Sequence, residues 1–162
     1  MDGWVKSNIT TKTYLLSEDP PSVLPTIFIS TDPNSFFDED TGMYMMGPNA
    51  DTWNFPYFGA NFWEDWERPI HFEILEVDGT GYDADAGVKI FGGWSRAFPQ
   101  KSLSIFSRSH IGPSVFEYKL FPNSDINKYE SFVLRNSGND WESTILRDGF
   151  TTSLTDDLDI DH

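Results

Sequence analysis

Arg68–Phe106 reads RPIHFEILEVDGTGYDADAGVKIFGGWSRAFPQKSLSIF. Its first ten residues point to the fold class. In RPIHFEILEV, Ile70, Phe72 and Ile74 fall on one face. His71, Glu73, Leu75 and Val77 fall on the other, which is the two-residue period of a half-buried strand. DGTGYDADAG then reads as a turn, GVKIFGG as a strand, and KSLSIFSR as the next strand. Working outward, LPTIFIS and GMYMMG precede the stretch as short strands, and VFEYKLF and ESFVLRN follow it with similar patterns. About six to eight strands, joined by Gly, Pro, Asn and Asp turns, predict a mainly antiparallel sheet.

The pattern changes near residue 139. NDWESTILRDGFTTSLTDDLD places Leu146, Phe150, Leu154 and Leu158 at four-residue intervals, a helical stripe. Asn139 with Glu142 three residues later resembles a capping box. The expected class is therefore α+β: a β-rich antiparallel sheet covered by one C-terminal helix over about residues 139–158.

Composition narrows the function classes. An aromatic content of 16% argues for a packed core, since disordered chains are aromatic-poor. A formal net charge of −15 repels phosphate backbones, so no nucleic-acid partner is expected. Arg96, Lys101 and Arg108 are nonetheless close in sequence. Cysteine is absent, which excludes disulfides and thiolate zinc sites. No apolar run approaches the ~20 residues that span a bilayer, so no membrane partner is expected. MDGWVKSNITT lacks the apolar segment of a signal peptide. Met1–Pro21 ends in the linker-like SEDPPS, and TKTYLL within it reads as a lone strand of a preceding module.

The turn Gly92–Lys101 raises the question of phosphate binding. A P-loop needs G-x-x-x-x-G-K-[ST]; here Gln100 occupies the second glycine position, and the Lys-Ser pair opens a strand rather than a helix. A dinucleotide fingerprint also fails, because only Gly92 and Gly93 are present. Period two puts Lys101 on the face of Leu103 and Ile105. If that face is buried, the ammonium needs a carboxylate or a phosphate. A strand-borne lysine of this kind holds nucleotide phosphates in protein kinases. Arg96 adds a planar donor fork. From pattern alone the plainer reading has Lys101 at a strand end, snorkelling to solvent, and Arg96 decorating a hairpin.

Three segments in one order, NFWEDWERPIHFE, GVKIFGGWSRAFPQKSLSIFSR and FVLRNSGNDWESTILRDG, resemble the CotH family, the spore-coat-type atypical protein kinases of secreted bacterial proteins. The resemblance covers roughly Leu24–Asp161. It implies the β-rich N-terminal lobe of a kinase-like fold, ATP with Mg or another divalent metal, and a secreted or coat protein substrate. It also implies a secreted or cell-surface location. By position it implies that Lys101 and Arg96, with Gly92, Gly93 and Ser95 of the turn, bind the nucleotide phosphates. Glu142, Asp148 and Glu73 are the candidates for the lysine's ion-pair partner. The family's metal-binding and catalytic aspartates follow the helix, in a second lobe. Residues 22–162 are thus expected to form an N-terminal part without its C-terminal lobe, with no assignable catalytic residue or metal ligand. Such a piece should bind ATP weakly or undetectably and should not transfer phosphate. Residues 1–21 resemble the tail of a chitobiase-C-like or fibronectin-like module.

Other constellations are weaker. TDPNSFFDEDTG carries Asp32, Asn34, Asp38, Glu39 and Asp40 in a turn-rich loop, but Phe36 and Phe37 break the alternation of a calcium loop. Asp156, Asp157, Asp159 and Asp161 read as a solvated charge run. The aromatic loop Pro48–Trp66 holds Trp53, Phe55, Tyr57, Phe58, Phe62, Trp63 and Trp66. It supports an alternative function, a non-catalytic extracellular module binding glycan or protein. The plainer reading of this loop is a satellite apolar cluster.

Overall fold

A computed structural model describes residues 9–16, 23–122, 124–140 and 142–154, apart from the side chains of Asn139 and Asp148. The elements run β1 (Thr26–Ser30), α1 (Pro33–Phe37), β2 (Arg68–Leu75), β3 (Gly81–Phe91), β4 (Ser102–Phe106), β5 (Phe116–Glu117), β6 (Lys128–Tyr129), β7 (Ser131–Leu134) and α2 (Arg147–Ser153). Five strands form one sheet in the order β1-β2-β3-β4-β7, and every neighbouring pair is antiparallel. β5 and β6 make a separate two-residue ribbon.

The alternation read in β2 is the alternation observed. Ile70, Phe72 and Ile74 are buried, and they lie opposite Ala86, Ala84 and Tyr82 of β3. Two of the large β2 side chains thus face alanines, which leaves room for a layer above them. Phe116 and Phe132 fill part of it, with ring centroids 5.2 and 5.5 Å from Phe72. Each such side chain, once buried, contributes about 1.5–3 kcal/mol. Phe36 of α1, Met43 of the segment that follows it, and Ala60 and Phe62 of the aromatic loop join the same core. The opposite face of the sheet is polar. Residues 9–16 approach it, with Lys12 Nζ 2.7 Å from Asp83 and Thr13 N donating to Glu73 at 2.6 Å.

Several local expectations give way to tertiary context. DGTGYDADAG is a turn only through residue 80. From Gly81 it is strand, because Ala84 and Ala86 pack inward while Asp83 and Asp85 face out. GMYMMG is not a strand: Met43 N and Tyr44 N donate to Ser35 O and Phe36 O, folding the segment back on α1. α1 itself lies in the stretch read as loop. Pro33 opens it, and Asp32 caps it by accepting from Asn34 N at 2.9 Å. Residues 11–16, the lone strand of the tail, carry no regular structure. The C-terminal helix is shorter than expected. Asp140 accepts bonds from Thr144 and Arg147, which holds residues 142–146 outside the helix, and α2 starts only at Arg147. Leu146, Phe150 and Leu154 are exposed rather than packed on the sheet. Leu158, the aspartates at 156–161, most of residues 1–21 and the cap side chain of Asn139 lie outside the described residues.

Candidate functional site

The segment between β3 and β4 is a 3₁₀ turn, Trp94–Ala97, flanked by Gly92 and Lys101. Gly92 has φ +118°, and a Cβ there would sit 2.5 Å from Ser95 Oγ. Both facts call for glycine. Gly93 closes the turn by accepting from Arg96 N at 3.1 Å.

Lys101 is 7% exposed, so it does not snorkel to solvent. Its ammonium donates to Arg96 O at 2.6 Å and Phe98 O at 2.9 Å. It also lies 4.1 Å from the ring centroid of Phe62, a core residue. Burial pushes the lysine down from its ordinary value to about 8. Arg96 likewise turns back on its own loop: Nε donates to Gly92 O at 2.7 Å, and the guanidinium lies 5.9 Å from the Trp63 ring. Lys101 and Arg96 are thus brought together, both engaged with backbone carbonyls of the turn.

Among the described residues no carboxylate pairs with Lys101. Glu73 lies on the polar face of the sheet with Thr13, and Glu142 is exposed on the turn before α2. The side chain of Asp148 lies outside the described residues.

A second layer of contacts connects this turn to the segment after β7. Asn136 is buried. Its Nδ2 donates to Gln100 O at 2.6 Å, and its Oδ1 accepts from Ser102 Oγ and Gly138 N, both at 2.9 Å. Asn136 N donates to Ser102 Oγ at 3.0 Å. These bonds hold the residues on both sides of Lys101 against the chain leaving β7. Between the two segments opens a cleft of about 540 Å³, lined by Trp94 and Ser95 on one side and by Arg135, Ser137, Gly138, Asp140, Arg147 and Thr151 on the other.

Asp140 organises the far wall. It is 3% exposed. Oδ2 accepts from Thr144 Oγ1 at 2.6 Å and Arg147 N at 3.1 Å, while Oδ1 lies 3.1 Å from Arg147 Nη2. The Thr144 hydroxyl, then the backbone N–H groups and the guanidinium, hold this carboxyl below its usual range. Reading the sequence assigned no role to Arg135, Asn136, Asp140 or Arg147. Their signal was present in LRNSGND…LRD, a run of polar residues where the strand pattern ends.

Next to the cleft the aromatic loop divides in two. Phe62 and Trp63 pack inward. Phe55 meets Trp94 edge-on at 5.8 Å and stacks on Phe98 at 6.1 Å. Trp94 is 62% exposed and Trp53 is 92% exposed. Asp51 accepts from Trp53 N and Asn54 Nδ2, fixing the tip that carries Trp53.

This cleft lies wholly within the part of the chain that a family comparison matches. Residues 88–162 match the CotH kinase protein family. The CotH-like segment begins in β3 and includes the 3₁₀ turn, β4, β7 and α2, whereas β1 and β2 precede it. No curated protein and no solved structure matches the chain. Among the described residues no helix is long and apolar enough to cross a membrane.

Proposed function

We propose that this chain supplies the N-terminal, nucleotide-facing part of a CotH-like secreted protein kinase. The observation that carries the reading is the coincidence of the CotH-like segment with the cleft: every residue lining the cleft falls within 88–162. In this reading ATP lies against the Gly92–Lys101 turn. Lys101 and Arg96 keep that turn in shape and add positive charge behind it, while Gly92, Gly93 and Ser95 bring backbone close to the phosphates. Phosphoryl transfer also requires a divalent metal and the aspartates that hold it. We place those in a C-terminal lobe outside these 162 residues, so this chain alone binds Mg-ATP weakly and transfers nothing. The phosphate acceptor is a Ser or Thr of a secreted or coat protein.

The test is a titration of the chain with Mg-ATP, followed by amide NMR, beside a radiolabel transfer assay. Weak saturable shifts at residues 92–101 without label incorporation are expected. Absence of any saturable shift in the folded chain defeats the nucleotide reading, and label incorporation defeats the need for a second lobe.

One observation favours a second reading. Trp53 is held almost fully exposed on an ordered tip, as in surfaces that stack on a glycan or a protein partner. Loss of glycan-array or partner binding in Trp53→Ala, with ATP binding unchanged, would favour it.

A further inference from the structure

Turns lead from β7 toward α2 and stop just short of it. Gly138–Asp140 is a 3₁₀ turn, in which Asp140 N donates to Ser137 O at 3.0 Å. Asp140 O then accepts from Ser143 N at 3.0 Å and from Ile145 N at 3.3 Å. The winding breaks at Ile145, which has φ +62°, and α2 begins at Arg147. We propose that Ile145 is a strained hinge held by an Asp140 latch, and that opening the latch lets α2 extend back through residues 142–146 as one helix.

The strain lies in the backbone of Ile145. A β-branched residue in the left-handed region is an outlier, and it persists only where its surroundings impose it. Packing does not impose it, because Ile145 is 56% exposed. Hydrogen bonds do. Ser137 Oγ donates to Ile145 O at 2.7 Å. Asp140 grips the chain on both sides of the hinge: Oδ2 accepts from Thr144 Oγ1 at 2.6 Å and from Arg147 N at 3.1 Å, and Oδ1 lies 3.1 Å from Arg147 Nη2. Leu146, at the start of α2, makes no side-chain cap bond, so Asp140 also takes over that task.

The longer helix is written into the same residues. Asn139 and Glu142 have the spacing of a capping box, and Leu146, Phe150 and Leu154 have helical spacing. Turning Ile145 into the right-handed region removes the outlier and gives the N–H groups of this stretch regular partners four residues back. Little is lost in exchange from the backbone N–H groups beside the hinge. Thr144 N reaches Asp140 Oδ1 only at 3.4 Å, and Leu146 N reaches Thr144 Oγ1 only at 3.3 Å. A short helix with an exposed apolar stripe is marginal by itself, so the bonds to the Asp140 carboxylate tip the balance toward the latched form. Ser137, Gly138, Asp140, Arg147 and Thr151 line the cleft, so the two forms of this segment give the cleft two different far walls.

The experiment records backbone chemical shifts and amide exchange on the whole chain, isotopically labelled. Wild type is expected to show helical shifts over Arg147–Ser153 and none over residues 142–146. In Asp140→Ala the helical shifts should spread across 142–146, and amide exchange there should slow about tenfold. Thr144→Ala, which removes a single latch bond, should produce a smaller spread. Adding Ile145→Gly to Asp140→Ala should abolish the spread, because glycine tolerates positive φ. Ile145→Gly alone should raise the urea midpoint. Ser143→Ala is the control for helix propensity alone and should leave residues 142–146 as in wild type. Should Asp140→Ala fail to fold, Thr144→Ala decides the matter. No helical shift at 142–146 in the folded latch variants overturns the proposal. So does a loss of helix over Arg147–Ser153 with no gain before it, which would make Asp140 a cap and nothing more. A spread in Ser143→Ala equal to that in the latch variants, or a lowered urea midpoint in Ile145→Gly, overturns it as well.

Discussion

Lys101→Met should destabilise the fold at pH 7, and the stability lost should grow as pH rises. The side chain is almost fully buried, and its ammonium serves two carbonyls, Arg96 O and Phe98 O. Methionine fills a similar volume but leaves both acceptors without that donor. An unsatisfied buried polar group costs about 1–3 kcal/mol, so a loss of roughly 2–4 kcal/mol at pH 7 is expected. The pH term follows from burial, which lowers the lysine from 10.5 to about 8. Between those two values the unfolded chain binds a proton that the folded chain has released. Stability of the wild type therefore rises through that window. The shift corresponds to a ceiling of about 3 kcal/mol, because the carbonyls and the Phe62 face oppose the desolvation. A neutral amine retains two N–H donors and so keeps both carbonyl bonds. Urea unfolding of wild type and variant at pH 7, 8, 9 and 10 measures the difference directly, and subtraction removes the tyrosines and other shared titrations. A variant as stable as wild type at pH 7, or a difference that is flat from pH 8 to 10, would refute this account of Lys101.

Three other outcomes follow from the same geometry. Gly92→Ala should lose about 1–3 kcal/mol in chemical denaturation, because φ +118° is unfavourable for alanine and Ser95 Oγ stands in the way of its Cβ; wild-type stability would show that the turn is not held as described. Asp140→Asn should flatten the acid limb of the stability profile. The carboxyl is depressed in the folded state, so its contribution is present above the ordinary aspartate range and lost as pH falls through its lowered value; an unchanged limb by circular dichroism counts against this. Phe72→Ala should cost about 3–5 kcal/mol, given its burial against Phe116 and Phe132, while Trp53→Ala should leave the thermal midpoint nearly unchanged; equal effects would mean that the core is misplaced.

Strand identity along β2 and β4 was legible from sequence because period two is a local property: Phe72 and Ile105 declare their face through their immediate neighbours. The burial of Lys101 was only half legible: period two placed it on the face of Leu103 and Ile105, but a lysine at a strand end reads more plainly as snorkelling to solvent, and the structure buries it. Its partners were not legible. Carbonyls carry no sequence signature, and Arg96 O and Phe98 O become acceptors only because the 3₁₀ turn curls under the ammonium. The C-terminal stripe Leu146, Phe150, Leu154 has helical spacing. Where the helix begins is decided by Asp140, which takes Thr144 and Arg147 as partners and keeps residues 142–146 outside the helix. The strand Gly81–Phe91 reads as a turn at its start because Gly and Asp dominate there, and pairing with β2 overrides that local preference. The cleft belongs to tertiary structure alone. Trp94 and Arg147 are far apart in the chain, and Asn136 brings their segments together through hydrogen bonds to Gln100 and Ser102 whose geometry no spacing rule encodes.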